Sequence, residues 1–129
     1  LRRQRQMCIE TALIYQDARF HSLIDSLPEA GVSGTLKYRQ GYTQPPLKNR
    51  VFAKTGSMQG VANLAGFIRI PQRDILFVVL ENGISPETKK QRTPAFSADF
   101  LTRLITTVEQ QAQTNQTSTK ELNTVKLID

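Results

Sequence analysis

Three runs of strand-forming residues, separated by two short breaks, limit what this chain of 129 residues can fold into. The runs cover 50–57, 61–70 and 74–82. The breaks at 58–60 and 71–73 have the length of hairpin loops, which predicts a three-stranded antiparallel meander. Because 75–80 is apolar on both faces, we expect the third strand to be covered on both sides.

Helical patterns flank these runs. Apolar residues recur at helical spacing from about residue 4 to 25, and again from Thr93-Pro94 to about residue 112, which predicts two amphipathic helices. The expected core stripe of the second helix is Phe96, Phe100, Leu101, Leu104, Ile105 and Val108. Between the first helix and the sheet, 27–50 is rich in glycine and proline and reads as a long connection, a kind that is often functional.

The last segment, from Gln113 to Asp129, consists largely of Thr, Gln, Asn, Ser and Lys. Such a composition buries too little apolar surface to fold by itself, so we expect a flexible tail. The predicted fold class is therefore α+β, with an N-terminal helix, a three-stranded antiparallel meander and a C-terminal helix. We expect one domain, or part of one, over 1–112 and a polar tail over 113–129.

Composition argues against several kinds of site and partner. A single cysteine, Cys8, excludes an internal disulfide and cannot form a metal cluster alone, and no motif implies a cofactor or a metal. The longest apolar run, 75–80, is far shorter than the roughly 20 residues of a membrane-spanning helix. The net charge is +6, and residues 1–60 hold nine Lys or Arg against four Asp or Glu. This distribution suits a weakly basic cleft for an anionic substrate better than a nucleic-acid footprint, so no nucleic-acid partner is expected.

The tripeptide Lys54-Thr55-Gly56, followed by Ser57, is the motif with the most chemical content. It puts a positive charge, a hydroxyl and an unobstructed backbone on one predicted strand. These groups suit an enzyme that holds the carboxylate end of a peptide against a serine nucleophile. Lys-Thr-Gly accompanies Ser-x-x-Lys in penicillin-binding proteins and serine β-lactamases.

Three stretches carry a resemblance to a known family. They are 26–36 (Ser-Leu-Pro-Glu-Ala-Gly-Val-Ser-Gly-Thr-Leu), 53–57 (Ala-Lys-Thr-Gly-Ser) and 60–67 (Gly-Val-Ala-Asn-Leu-Ala-Gly-Phe). In this order they resemble the D-alanyl-D-alanine carboxypeptidase/endopeptidase family of low-molecular-mass penicillin-binding proteins, the class C or S13 peptidase type. The resemblance implies part of a β-lactamase/transpeptidase-like fold. It also implies a periplasmic serine hydrolase that acts on peptidoglycan stem peptides and is acylated by β-lactams.

The same resemblance implies a role for each residue of the motif. Lys54 would attract the substrate carboxylate and hold down the proton affinity of nearby catalytic groups. Thr55 would donate its hydroxyl to that carboxylate, and Gly56 would let the substrate backbone approach the strand edge. The backbone N–H of Ser57 would be one of two donors to the oxyanion.

The other two motifs of the family, Ser-x-x-Lys and Ser-x-Asn, do not occur in this sequence. We therefore expect the C-terminal part of a serine-type carboxypeptidase, cut from a longer chain, inactive alone and completed by a missing N-terminal part of the same domain. The alternatives are a non-catalytic module that binds carboxylate or peptide ends, and, ranked last, a basic nucleic-acid module. Without that N-terminal part, we expect the strand at 75–80 to expose an unpaired edge.

Overall fold

The computed structural model describes Gln6, Glu10 and residues 13–71, 73–87 and 92–128, without the side chains of Thr93 and of 117–128. The described elements are two short 3-10 helices (Ala18–Phe20 and Gly34–Leu36), the helices α1 (His21–Asp25) and α2 (Thr93–Ile128), and the strands β1 (Val51–Met58), β2 (Val61–Ile70) and β3 (Arg73–Asn82). Residues 13–16 are also helical. The architecture confirms the predicted α+β class.

The three strands form one antiparallel sheet in the order β1-β2-β3, which confirms the predicted meander. Val51 lies opposite Ile68, and Ile68 in turn lies opposite Ile75. Directly opposite residues share a face, so Val51, Ala53 and Thr55 of β1 lie on the same face as Leu64 and Ile68 of β2. We call this the helix face, because α2 packs on it, and we call the reverse side the open face.

The hydrophobic core lies between the helix face and α2. Leu101 and Ile105 of α2 are fully buried, as are Val51 and Ile68 of the sheet. The long connection between α1 and β1 contributes four further fully buried residues: Ala30, Leu36, Tyr42 and Leu47. The Tyr42 hydroxyl lies 2.7 Å from Ser97 Oγ on α2. This connection therefore contributes to the core at four positions, while about half of its residues are exposed.

Two members of the predicted core stripe of α2 lie outside the core. Phe96 is 56% exposed and Phe100 is 45% exposed, so the prediction that both are core residues is wrong. On α2, the side that packs on the sheet contains the fully buried Leu101. At 3.6 residues per turn, Phe100 lies about 100° around the helix from Leu101. The sheet covers a narrower strip of the helix than the apolar residues occupy.

The second helix does not end near residue 112 as predicted, because α2 continues to Ile128. Residues 113–128 are therefore helical, where the sequence composition favoured an irregular tail. No glycine or proline follows Pro94, and Gln, Glu, Lys and Leu are good helix formers, so nothing in the segment stops the helix. Residues 113–116 are exposed, so the first turn of this extension is not held by the core. The division into a domain over 1–112 and a tail stays a prediction.

The predicted first helix is interrupted. Residues 1–5, 7–9 and 11–12 lie outside the described part, but the chain is extended at Asp17, which has φ −93° and ψ 118°. The Asp17 carboxylate accepts a 2.9 Å hydrogen bond from the backbone N–H of Arg19. Asp17 is therefore the N-cap of the 3-10 helix Ala18–Phe20. A single continuous helix over 4–25 is therefore wrong, because a local side-chain cap competes with helix continuation.

The outer strand β3 is covered unequally on its two sides. Phe77 and Val79 are buried on the helix face, whereas Leu76, Val78 and Leu80 are only half-buried on the open face. The expectation of cover on both sides is therefore met at Phe77 and Val79 on the helix face, where Ile75 is half-buried, and is not met on the open face. Within the described residues β3 pairs with β2 only, as expected for an unpaired edge. Every helix in the described part is too short or too polar to cross a membrane.

Candidate active site at the edge of the first strand

The outer edge of β1 is occupied at its beginning and open further along. The segment just after α1 lies against it: the backbone N–H of Ala53 donates to Pro28 O at 3.0 Å, and that of Ala30 donates to Val51 O at 2.9 Å. A single β-bridge joins Glu29 and Phe52. Among the described residues, this backbone pairing ends at Ala53. The Lys-Thr-Gly segment pairs with β2 on its inner edge, and its outer edge is not paired with any described strand.

Strand geometry determines which backbone groups point to that edge. In a β-strand the N–H and C=O of every second residue point to the same side. Since Val51 and Ala53 use theirs on the outer edge, the N–H and C=O of Thr55 and Ser57 point outward as well. The two N–H groups are about 7 Å apart, two residues along the strand. An extended peptide can add to such an edge through main-chain hydrogen bonds.

The Lys54 side chain lies on the open face. It is exposed, and its Nζ donates a 2.6 Å hydrogen bond to the carbonyl oxygen of Thr55. The ammonium group has three donors, so two remain that bind no other described residue. Lys54 also lines a cavity of about 420 Å³ between the open face and the segment that precedes β1. The cavity is otherwise largely apolar, with Ile24, Leu27 and Phe67 in its wall.

The Thr55 side chain lies on the opposite face. It is half-buried, and its Oγ1 donates to Thr35 Oγ1 at 3.3 Å. Gly56 follows, exposed, and a Cβ built there would have only an ordinary 3.7 Å contact with Asn63 Cβ. Ser57 is also exposed. The four predicted site residues are therefore brought together at one open edge, with the lysine and the threonine hydroxyl on opposite faces of it.

An aromatic and ionic cluster attaches residues 13–16 to the open face beside the cavity. The Tyr15 hydroxyl donates to Asp74 Oδ2, and the Tyr15 ring centroid lies 5.3 Å from that of Phe67. Phe67 is stacked on Phe52 at 4.9 Å, and the Arg69 guanidinium lies above both rings. Burial, and then the neighbouring Asp74 carboxylate, raise the pKa of Tyr15 to about 12. Both causes oppose formation of a negative charge on the phenol.

This shift predicts a loss of stability at high pH. A phenol whose pKa is higher in the folded state than in the unfolded state stabilises the fold fully below pH 10, and that contribution is lost as the pH rises towards 12. We expect Asp74→Asn to lower the pKa of Tyr15 in part, because burial remains. Phenolate absorbance during an alkaline titration measures this. Because burial also raises the pKa of Tyr42, the Tyr15→Phe variant is needed to show which step of the titration belongs to Tyr15. If the Tyr15 step occurs at the same pH in Asp74→Asn as in the unsubstituted chain, the prediction is contradicted.

Comparison with known proteins identifies the family. The model of the D-Ala-D-Ala carboxypeptidase 3 (S13) family matches residues 5–119. The chain belongs to the S13 family. Among the described residues of this S13 chain, no group of three or more His, Cys, Asp and Glu side chains could hold a metal ion.

Relatives of known name and structure agree with the S13 assignment. The chain is 45% identical over 76 residues to the D-alanyl-D-alanine carboxypeptidase DacB of Haemophilus influenzae, a match that covers 56% of this chain and 16% of the relative. The crystal structure of penicillin-binding protein 4 (dacB) from H. influenzae aligns with a TM-score of 0.65 at 34% identity, over 81% of this chain and 24% of that one. A β-lactam complex of the same protein aligns with a TM-score of 0.54 at 38% identity, over 67% and 21%.

These matches confirm the resemblance inferred from the motifs and the transpeptidase-like α+β fold. The S13 chain spans 16% of the curated relative and 24% of the solved chain that it matches.

Two neighbours of the site in this S13 chain were not predicted from its sequence. Thr35, which the Thr55 hydroxyl contacts, is 20 residues away in sequence. Tyr15 lines the cavity beside Lys54 from a segment predicted only as a helix. The one available signal for Thr35 was its place in the 26–36 stretch that carries the resemblance. Nothing in the pattern around Tyr15 distinguishes it from an ordinary helical residue.

Proposed function

We propose that the Lys54–Ser57 edge is the carboxylate-binding and oxyanion-side wall of the active site of a serine-type D-Ala-D-Ala carboxypeptidase. The substrate is a peptidoglycan stem peptide, the mechanism proceeds through an acyl-enzyme, and β-lactams acylate the same site. The site of action is the periplasm. The observation that carries the proposal is the open edge of β1, to which the backbone groups of Thr55 and Ser57 point.

Each residue has a role that its position permits. A peptide that extends the sheet at this edge would pair with the outward groups of Thr55 and Ser57. Gly56 leaves that approach clear, because it has no side chain beside the edge. The Ser57 N–H would then be placed as one oxyanion donor, and removal of such a donor typically costs about 100- to 1000-fold in rate.

The terminal carboxylate of the peptide would be held from two sides. Lys54 reaches the edge from the open face, with two donors beyond the one that binds the Thr55 carbonyl. The Thr55 hydroxyl reaches it from the helix face, after exchanging its contact with Thr35 for one with the ligand. A charged and a neutral donor that converge on one carboxylate give both affinity and orientation.

The nucleophile must come from another segment. Of the seven serines in this sequence, none precedes Lys by three positions or Asn by two, so neither Ser-x-x-Lys nor Ser-x-Asn is available. We propose that an N-terminal part of the same domain supplies both. The chain alone is expected to form no covalent adduct with a labelled penicillin, as measured by mass spectrometry. Stoichiometric acylation of the 129-residue chain would overturn this prediction.

Binding tests the role of Lys54 without requiring catalysis. We expect the chain to bind a peptide ending in D-Ala-D-Ala saturably, and Lys54→Ala to weaken binding by about 10- to 100-fold, the usual range for losing a charged hydrogen bond. Lys48→Ala is a matched control, because Lys48 is also exposed and its loss changes the net charge equally. Equal loss of affinity in both variants, measured by calorimetry, would indicate a general charge effect and contradict the assigned role.

A second candidate is a non-catalytic module that uses the same edge to bind carboxylate ends. The absence of Ser-x-x-Lys from the sequence favours it. The two candidates differ in their response to an N-terminal extension. A longer product of the same gene that contains Ser-x-x-Lys and reacts with penicillin supports the enzyme. If the upstream coding sequence lacks that motif while the peptide still binds, the module is supported.

A further inference from the structure

The hydroxyl of Thr55 is held by a residue from outside the Lys54–Ser57 edge. Its Oγ1 donates to Thr35 Oγ1 at 3.3 Å, and this is its one side-chain hydrogen bond to a described residue. Leu64, the residue directly opposite Thr55 on β2, has no polar side-chain atom. Thr35 is therefore the partner that determines where the Thr55 hydroxyl points.

The turn that carries Thr35 is anchored on both sides of it. This turn is the 3-10 helix Gly34–Leu36, and its last residue, Leu36, is fully buried in the core. Its first residue, Gly34, has φ +56°, and a Cβ there would lie 2.9 Å from the Pro28 ring. The Pro28 carbonyl oxygen is itself hydrogen bonded to the backbone of β1 at 3.0 Å. The position of Thr35 is therefore fixed relative to the strand that carries the site.

The contact also turns the Thr55 hydroxyl towards the outer edge of β1. The connection approaches β1 from this edge, where the backbone of 28–30 pairs with it. A threonine side chain is stiff about its first torsion, because two heavy atoms are attached to Cβ, so one hydrogen bond is sufficient to select a rotamer. The hydroxyl therefore faces the edge before a ligand arrives, which lowers the entropy cost of ordering it on binding.

We propose, as an inference that rests on the proposed function, that Thr35 is a positioning residue for carboxylate binding. When Thr55 turns its proton from Thr35 to the ligand carboxylate, the Thr55 oxygen becomes free to accept from Thr35, since a hydroxyl both donates and accepts. The two threonines and the carboxylate then form a chain of hydrogen bonds in which each bond polarises the next. Thr35 thereby strengthens the Thr55 donor without touching the ligand.

The first experiment requires no ligand. Three-bond carbon-13 couplings of the Thr55 methyl group report its χ1 rotamer in solution. We expect one dominant rotamer in the unsubstituted chain and in Thr35→Ser, which keeps the hydroxyl. Thr35→Val has nearly the same shape without the hydroxyl, and we expect its couplings to be averaged over several rotamers. Averaged couplings in the unsubstituted chain, or unchanged couplings in Thr35→Val, overturn the inference whatever the chain binds.

The second experiment measures binding of a D-Ala-D-Ala peptide by calorimetry. We expect Thr35→Val to weaken binding by about 3- to 10-fold, the range for one neutral hydrogen bond, and Thr35→Ser to stay within about twofold of the unsubstituted chain. In a Thr55→Val background the effect of Thr35→Val should vanish, because Thr35 acts through the Thr55 hydroxyl. A loss of the same size in that background indicates a structural defect and contradicts the positioning role.

The binding results separate this inference from the proposed function. Weaker binding in Thr55→Val together with unchanged binding in Thr35→Val overturns the role of Thr35 alone. Unchanged binding in Thr55→Val contradicts the role proposed for the Thr55 hydroxyl, and the role of Thr35 fails with it. A chain that binds no peptide likewise counts against both, even if the couplings show that Thr35 fixes the Thr55 rotamer.

Discussion

Gly66→Ala is expected to destabilise the chain strongly, with a much lower urea midpoint than the unsubstituted chain. A Cβ at this position would lie 2.0 Å from the carbonyl oxygen of Phe52 and 2.6 Å from Ala53 Cα. Both are backbone atoms of β1, so room can be made only by separating β1 from β2. Overpacking usually costs about 1–3 kcal/mol, and here we expect about 3 kcal/mol or more because backbone must move. That is a large share of the roughly 5–15 kcal/mol that stabilises a typical domain.

Gly56→Ala is the matched control, with the same chemical change ten residues earlier. Its Cβ would meet Asn63 Cβ at 3.7 Å, which is ordinary van der Waals contact. We expect a change in unfolding free energy of less than about 1 kcal/mol, since alanine also restricts the unfolded chain. Urea denaturation at one fixed protein concentration measures both variants. Similar losses in the two would show that the close approach at Gly66 is not the cause.

The same pair of variants separates stability from function. Under the proposed function, the methyl group of Gly56→Ala obstructs a peptide at the open edge, so this folded variant should lose affinity for a D-Ala-D-Ala peptide. A folded Gly56→Ala variant that binds the peptide as well as the unsubstituted chain would contradict the role assigned to Gly56.

The sheet and the motif were predictable because both depend on local patterns. Two hairpin-length breaks between strand-forming runs leave few arrangements other than a meander, and β2 (Val61–Ile70) lies where it was expected. Lys54 to Ser57 are consecutive residues on one strand, so their proximity required no tertiary information. Which of their groups point to the open edge did require it, because that follows from the pairing of Pro28 and Ala30 with β1.

The errors arose where one local signal competed with another or with packing. At Asp17 a side-chain cap interrupts an apolar period that would otherwise continue as a helix. The period in α2 was real, but it could not indicate how much of the helix the sheet covers. The contact between Thr35 and Thr55 depends on how the 27–50 connection folds, and no periodicity reports that.

Leu101→Ala is expected to cost about 2–5 kcal/mol of unfolding free energy, the usual range for truncating a buried leucine. Leu101 is fully buried, with 0% of its surface accessible to solvent. It belongs to the core cluster that contains Leu64, Ile68 and Ile105. Truncation therefore leaves a cavity between α2 and the helix face that packed neighbours can fill only in part. Thermal or urea denaturation at fixed concentration measures the loss.

Phe100→Ala, at the adjacent position, decides whether the position on the helix or the size of the side chain determines the cost. Phenylalanine is the larger residue, so if both positions belonged to the core, its truncation would cost at least as much as that of Leu101. Because Phe100 is 45% exposed, we expect a loss of about 1 kcal/mol or less from the apolar area it still covers. A larger loss in Phe100→Ala than in Leu101→Ala would mean that α2 is rotated about its axis. In that orientation Phe96 and Phe100 would face the sheet, as the spacing of the apolar residues predicts.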